Sequence, residues 1–324
     1  MCTVLVTGGA GFIGSSIVDL LISNGYKVVV VDNLTNGNMD NVNKASTFYN
    51  VDITDLNLSK IFNMERPKYV IHAAAQISVE KSIQDPIFDA STNIIGSINI
   101  LECCQKSHVQ KIIYSSTAAV YGNPLYRGID EKHGINPISF YGMSKYITEQ
   151  YIKLFNSLYG LKYTILRYSN VYGIRQNFAG EGGVIPCFIR CMLKGEKPTI
   201  YGTGKQTRDF IYVDDVAMAN ILALEKGDDD IFNIGTGIEV SINDLFKYLS
   251  QRIGNCVPLY EKEKSGDIRY CYFDIKKSSD ILGWEPEYML NEGLEKTIQW
   301  YSKRVASNTV FSWNKIEEEL KEEV

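Results

Sequence analysis

The sequence predicts an α/β protein, a doubly wound parallel sheet joined to a smaller α/β substrate domain. Three observations predict it. Short β-branched runs recur at 28–32, 47–51, 69–72, 111–115 and 163–168, with helical patterns between them; such alternation implies a parallel sheet covered on both faces. At the amino end, Thr3-Val4-Leu5-Val6-Thr7 runs into Gly8, Gly11 and Gly14, followed by Ile13, Ile17, Leu20 and Leu21 at helical spacing. The residues able to carry chemistry then fall beyond the carboxyl ends of the strands, where ligands of such sheets bind.

The glycine-rich turn comes first. Glycines allow the sharp bend and close backbone approach a pyrophosphate needs, and the following helix offers the free N–H groups of Phe12, Ile13 and Gly14 at its positive end. The second strand ends in Asp32-Asn33, placing a carboxylate where it can accept from the hydroxyls of an adenosine ribose. No lysine or arginine occurs between Asn33 and Asp40 to hold a 2′-phosphate, so the expected dinucleotide is NAD, not NADP.

At the opposite end of the same domain lies Tyr141-Gly142-Met143-Ser144-Lys145, within a predicted helix over 139–159. The i, i+4 spacing puts both side chains on one face. A phenol ordinarily titrates near ~10, too high for a base at neutral pH. A cation ~4 Å away at an effective dielectric of ~20 favours the phenolate by about 4 kcal/mol, roughly three pKa units. By itself the pattern is usually a surface pair; the glycine turn in the same domain is what gives it weight.

The totals exclude other classes. The chain has 324 residues and a net charge of −5 without a basic stripe, which argues against a nucleic-acid surface. No apolar run approaches the ~18 residues of a membrane span, and a strand that begins almost at residue 1 leaves no room for a signal peptide. Seven scattered cysteines with no Cys-x-x-Cys read as reduced thiols, hence a cytoplasmic protein. Three dispersed histidines, His72, His108 and His133, give no zinc site, and no metal is expected. His72 reads best as a hydrogen-bonded core residue. After Asn170 the pattern breaks into shorter, glycine-punctuated pieces. Residues 1–170 are therefore assigned to the dinucleotide domain, with 208–235 returning to it, and 171–324 to the substrate domain. The acidic end reads as a frayed helix.

Together these motifs resemble the extended short-chain dehydrogenase/reductase family, and within it the nucleotide-sugar 4-epimerases, over nearly the whole chain from Thr3 to about Trp300. The resemblance implies a Rossmann domain with tightly held NAD and a catalytic trio of Tyr141, Lys145 and Thr117. Tyr141 would take the proton from the sugar 4-hydroxyl, Lys145 would hold the nicotinamide ribose, and Thr117, third of Ser115-Ser116-Thr117, would hydrogen-bond O4. A 4-keto sugar would form and be reduced from its other face. Further cofactor contacts implied are Asp52 and Ile53 at the adenine, Ala73, Ala74 and Ala75 after the fourth strand, Asn93 supporting the backbone, Ser115 and Ser116 near the nicotinamide, and Tyr168.

On the substrate side, the resemblance implies a UDP-sugar held by Asn170 and Arg208 at the diphosphate, by Val184, Phe188 and Tyr201 around the uracil, and by Asp267 at the uridine ribose. Lys264 stands where the family often has arginine, and Ser169 where it has a larger or apolar residue. Cys271 occupies the position that faces the C2 substituent; being small, it implies that N-acetylated hexoses are admitted. Family dehydratases carry carboxylates directly after the threonine, but here those positions are Ala118 and Ala119, whose methyl groups transfer no protons. Decarboxylases are disfavoured more mildly. A uronate 4-epimerase stays open through Arg175 or Arg190, and a non-catalytic NAD sensor is the remote alternative. A homodimer is implied, built on helices at 88–106 and 139–159; the apolar positions Ile94, Ile98 and Leu101 fit such an interface and equally fit packing on their own sheet.

Overall fold

The computed structural model describes residues 2–177, 183–263 and 268–306. Lys264 and Asp267, both expected at the substrate, lie outside the described residues. The strands are β1 (Thr3–Thr7), β2 (Lys27–Asp32), β3 (Thr47–Asn50), β4 (Tyr69–His72), β5 (Lys111–Thr117), β6 (Lys162–Tyr168), β7 (Asn170–Tyr172), β8 (Thr199–Tyr201), β9 (Thr207–Arg208), β10 (Phe210–Tyr212), β11 (Asp230–Ile234), β12 (Val240–Ser241) and β13 (Leu259–Glu261). The helices are α1 (Phe12–Ser23), α2 (Leu58–Glu65), α3 (Val79–Gln84), α4 (Pro86–Ala90), α5 (Gly96–Lys106), α6 (Phe140–Tyr159), α7 (Val184–Leu193), α8 (Val213–Ala223), α9 (Ile242–Ile253) and α10 (Leu290–Ala306).

The central sheet has seven strands in the order β11-β6-β5-β4-β1-β2-β3, every pair parallel. Strand order reverses between β1 and β4, which opens a crevice at their carboxyl ends. Alternation along the strands feeds two cores. Val4 and Val6 of β1 join Ile17, Val18 and Leu21 of α1 and Val216 and Ala217 of α8 on one face. Leu5 joins Leu58 and Phe62 of α2, Ile100 and Leu101 of α5 and Ile152 of α6 on the other. A third core, with Ile189 of α7, Leu245 and Leu249 of α9, and Leu294 and Tyr301 of α10, underlies the later part of the chain.

Two features differ from the sequence expectation. Strand β5 continues two residues beyond 115, so that Ser115, Ser116 and Thr117 lie in the strand, paired with Leu166, Arg167 and Tyr168 of β6. Pairing with a seven-residue neighbour overrides the weak strand preference of serine. Secondly, Ser91–Ile95 forms a π-helical turn between α4 and α5. The extra residue in that turn shifts the helical phase. Leu101, one of the apolar positions left open between a subunit interface and the chain's own sheet, is fully buried in the chain's own core, whereas Ile95 is 58 % exposed.

Asp209, between β9 and β10, fastens the irregular segments above the sheet. Its buried carboxylate accepts from the N–H and hydroxyl of Thr236 at 2.8 and 2.6 Å, from the Gly237 N–H at 3.1 Å and from the Phe273 N–H at 3.2 Å. Its own carbonyl accepts from the Asn170 N–H at 2.9 Å. Burial raises its pKa, and those donors partly offset the rise. One residue thus links three segments, its carbonyl holding the start of β7 and its side chain the loop after β11 and the segment carrying Cys271.

Candidate active site

The turn after β1 is shaped by contacts that only glycine permits. Gly8 has φ +70°, and a Cβ there would lie 2.7 Å from the Ala74 nitrogen and 2.9 Å from the Ala73 carbonyl carbon. At Gly14 a Cβ would meet the Gly8 carbonyl oxygen at 2.1 Å. Gly11 caps α1 without a side-chain bond, leaving the cap to backbone donors. Ala73 and Ala74 are themselves pinned to β1, the first donating to the Thr7 carbonyl and the second to the Thr7 hydroxyl, both at 3.2 Å. That hydroxyl also meets His72 Nδ1 at 2.7 Å, and His72 Nε2 meets the Ser97 hydroxyl at 2.9 Å. Burial, reinforced by the Lys145 charge, pushes His72 down to about 3, so it stays neutral as a core hydrogen-bonding residue.

Asp32 is buried at the end of β2 and accepts from the Ala10 and Leu34 N–H groups at 3.0 and 2.8 Å. Each carboxylate oxygen keeps a further lone pair for a ribose hydroxyl. Beside it, the Asn33 amide donates to Asp52 at 2.6 Å, and Thr54 donates to the same carboxylate from its N–H and hydroxyl. Partial burial works against the Asp52 charge, but these donors win and its pKa is lowered. Ile53 is buried against Gly96. The cradle, the uncapped helix end and the ribose-side carboxylate thus fit a dinucleotide, with Gly8–Gly14, Asp32 and Ala73–Ala75 as the residues that would hold it.

Across the crevice, α6 starts at its Ser139 cap, whose hydroxyl accepts from the Gly142 N–H at 3.1 Å. Gly142 lets the first turn of α6 lie against the end of β5: a Cβ there would sit 2.6 Å from the Ala119 carbonyl oxygen. That approach sets the first turn of α6, which carries Tyr141, against the segment that follows Thr117. The Thr117 hydroxyl accepts from the Ala119 N–H at 3.2 Å, which leaves its proton to be donated elsewhere. One turn below Tyr141, Lys145 is 3 % exposed, with its ammonium 4.8 Å from the centre of the Tyr114 ring. Burial pushes Lys145 down from 10.5 to about 8, while Asp89 and Glu149 pull it upward.

Asn93, expected among the cofactor residues, spends its amide on the protein. It accepts from the Gln76 N–H at 2.9 Å and donates to the Gln76 carbonyl, to Asp89 and to the Ser144 hydroxyl at 2.9–3.1 Å. It therefore fastens the π turn to α6 and to the loop after β4. Ser115 meets the Tyr168 hydroxyl at 3.1 Å, and Tyr168 in turn accepts from Asn220 at 2.8 Å. Ser116 donates to Glu149 at 2.6 Å.

The substrate-side residues are more dispersed. Asn170 opens β7. Arg208 in β9 donates to the Ile268 carbonyl at 2.6 Å, next to the segment after 267. Val184 and Tyr201 are half-buried on α7 and β8. Phe188, expected at the uracil, is instead drawn into the third core, 2 % exposed and edge-on to Phe246 at 5.9 Å. Cys271 is buried with Val120, Tyr121, Ile129 and Phe273, and burial raises its thiol to about 11. Arg175, a candidate partner for a uronate, is paired with Asp19 at 2.7 Å. Glu149, Arg167, Gln76 and Asp209 escaped the sequence reading. Glu149 had one usable signal, since it continues the Tyr141, Lys145 spacing by another four residues.

A glycine cradle at the switch point, a ribose-side carboxylate and a Tyr/Lys helix define a Rossmann-type NAD-binding protein. The chain belongs to the NAD dependent epimerase/dehydratase family, whose model matches residues 4–235, and NAD is its cofactor. A Methanocaldococcus jannaschii protein provisionally named UDP-glucose 4-epimerase is 51 % identical, over 92 % of this chain and 97 % of that one. The crystal structure of Thermotoga maritima UDP-glucose 4-epimerase with UDP-glucose is 48 % identical with a TM-score of 0.92, covering 94 % and 99 % of the two chains. A Methanobrevibacter ruminantium UDP-N-acetylglucosamine 4-epimerase in complex with UDP-N-acetylmuramic acid is 38 % identical with a TM-score of 0.89, over the same 94 % and 99 %.

The depressed lysine has a thermodynamic consequence. Below pH 8 Lys145 is charged in both folded and unfolded chains, and folding carries the full cost of burying it. Between about 8 and 10.5 the folded lysine is already neutral while the unfolded one is not, so that cost is relieved as pH rises. Nucleotide-free Lys145→Met should therefore be more stable than wild type at pH 7, by up to about 3 kcal/mol. Urea denaturation across pH should show the advantage shrinking above pH 8; an advantage independent of pH would remove lysine ionisation as its cause.

Proposed function

We propose that the protein is a UDP-hexose 4-epimerase that interconverts UDP-glucose with UDP-galactose, and UDP-N-acetylglucosamine with UDP-N-acetylgalactosamine, through a 4-keto sugar. The reading is supported by the close approach of Gly142 to the Ala119 carbonyl, which sets the first turn of α6, carrying Tyr141 and the buried Lys145, against the segment that follows Thr117. When bound, NAD supplies the hydride acceptor and later donor. Tyr141, one helical turn from Lys145, accepts the 4-hydroxyl proton and returns it after the sugar has turned. Thr117 donates to O4 and fixes the sugar's approach. Ala118 and Ala119 leave the site without a proton-transfer group for C5 or C6, which favours epimerisation over dehydration. The Arg175–Asp19 pair draws one candidate guanidinium away from a uronate, which favours neutral hexoses.

The two-domain division proposed from the sequence follows the same logic, with 1–170 and the returning 208–235 holding NAD and the rest holding the UDP-sugar. A reducing cytoplasm suits seven cysteines that are all unpaired; no helix among the described residues is long and apolar enough to cross a membrane.

Purified protein should release NAD(H) on denaturation and epimerise UDP-galactose, and Tyr141→Phe should lose roughly 10²–10⁴-fold in kcat while still folding. No turnover of either UDP-galactose or UDP-N-acetylgalactosamine by NAD-loaded wild type would end the proposal. Cys271→Tyr should stop turnover of the N-acetyl sugars and spare UDP-galactose, because the added ring excludes only the larger substituent. Equal losses on both would show that residue 271 does not face the sugar. We also propose a homodimer. Phe140, Met143, Tyr151, Leu154 and Leu158 line one exposed stripe of α6, and Ile87 and Ile95 are exposed beside α5. Light scattering at micromolar concentration should give twice the chain mass; a monomer mass would refute it.

A further inference from the structure

The structure holds a buried polar group that the chemistry above does not use. Glu149 is 0 % exposed and Arg167 is 3 % exposed. They form a two-pronged pair: the Arg167 Nε donates to Glu149 Oε1 at 2.9 Å and Nη2 to Oε2 at 2.6 Å. The third guanidinium nitrogen, Nη1, donates to the Tyr121 hydroxyl at 3.0 Å, which donates to Asn233 at 2.7 Å. Glu149 Oε1 also accepts from the Ser116 hydroxyl at 2.6 Å. The carboxylate therefore joins three elements: α6, which carries it; β5, through the residue before Thr117; and β6, through Arg167.

A buried ion pair is poor evidence for stability, since its desolvation commonly offsets its attraction. Its placement here says more. Tyr141, Lys145 and Glu149 follow one another at four-residue steps, so they stack on one side of α6. We propose that Glu149, clamped by Arg167 and tied to Ser116, is the positioning residue that locks the Thr117 strand end to the Tyr141 helix and balances the charge beneath Lys145. This rests on the epimerase reading and adds to it the device that sets the geometry and working pH of the acid–base pair.

The charged and titratable groups around the pair are few. Lys145 faces Asp89 from α4, His72 from β4, the Tyr114 ring from β5 and Glu149 from its own helix. Glu149 faces Arg167 and Tyr163 from β6 and Tyr114 from β5. His72 is neutral, so the anions acting on Lys145 are Asp89 and Glu149. Deleting the Glu149 charge while leaving Arg167 makes the site more positive, and that lowers the proton affinity of Lys145 and of Tyr141 alike.

The test is Glu149→Gln, which keeps the shape and removes the charge. Its kcat should fall roughly 10- to 100-fold with KM for UDP-galactose near wild type, as expected when reacting groups are misplaced after binding. Both limbs of its pH profile should move to lower pH by roughly one unit. The Lys145 titration, followed by ¹⁵N-lysine NMR without substrate, should move the same way, a readout that stands even if wild type turns over no UDP-hexose. The double variant Glu149→Gln/Arg167→Met removes both charges, so its pH profile should return towards wild type while kcat stays low. Ser116→Ala should lower kcat with no pH shift. A Glu149→Gln protein whose pH profile, Lys145 titration and kcat match wild type would overturn the proposal. If that variant does not fold, the double variant decides: low kcat with NAD retained supports the positioning role, and wild-type kcat overturns it.

Discussion

The site depends on backbone meeting backbone at distances no side chain would allow. At Gly8 and Gly14 the chain closes on Ala73–Ala74 and on itself, and at Gly142 the first turn of α6 rests on the Ala119 carbonyl. Each contact lies at the carboxyl edge of the sheet, where strands stop and their ends must be placed by something other than the ladder of strand hydrogen bonds. A methyl group at any of them would lie 2.1–2.7 Å from a backbone atom of the facing segment. Neither side can give without moving a strand end or a helix, so the seating of the glycine turn on the loop after β4, and of α6 on the segment after β5, is set by absent side chains.

Close approach needs a counterpart that prevents sliding, and buried polar clusters supply it. Thr7, His72 and Ser97 tie β1 and β4 to α5. Asn93, Gln76, Asp89 and Ser144 tie the π turn to α6. Asp209 ties the segments above the sheet to one another. Each is directional where apolar packing is not, and each is tolerable because its donors and acceptors find partners inside the protein. The π turn belongs with them: one extra residue in the helix carries the Asn93 side chain to Gln76 and Ser144 and also rotates the following residues.

Much of this was legible in the sequence, for identifiable reasons. Periodicity found the sheet strands, because a parallel strand buried on both faces must be a continuous apolar run. The glycine spacing found the cradle, because left-handed or crowded backbone leaves few alternatives. The extension of β5 through Thr117 escaped, since strand length is set by the pairing partner, and nothing local to Ser115-Ser116 announces the match to Arg167 and Tyr168. The π turn at Ser91–Ile95 escaped for a related reason: a helical wheel with uniform period does not contain it, and the sequence left open whether Leu101 packs on the sheet or at an interface. Glu149 and Arg167 lie 18 residues apart, and a charged residue on an amphipathic helix reads as solvent-facing until the partner strand is known.

The electrostatic arrangement follows from these constraints. A lysine can sharpen the acidity of a phenol only while it is itself charged, and only if water does not screen it. Burial meets the second condition and works against the first, which is why Lys145 sits near 8 and not 10.5. Carboxylates close by would restore its charge but would also raise the phenol's pKa, undoing the gain. The structure separates the two demands. In the arrangement proposed above, Asp89 and then Glu149 support the lysine's charge, and Arg167 matches Glu149, so the pair would weigh less on the phenol than the bare anion. A buried pair that adds little to stability can in this way tune a neighbouring site, because its two charges stand at unequal distances from the groups that titrate.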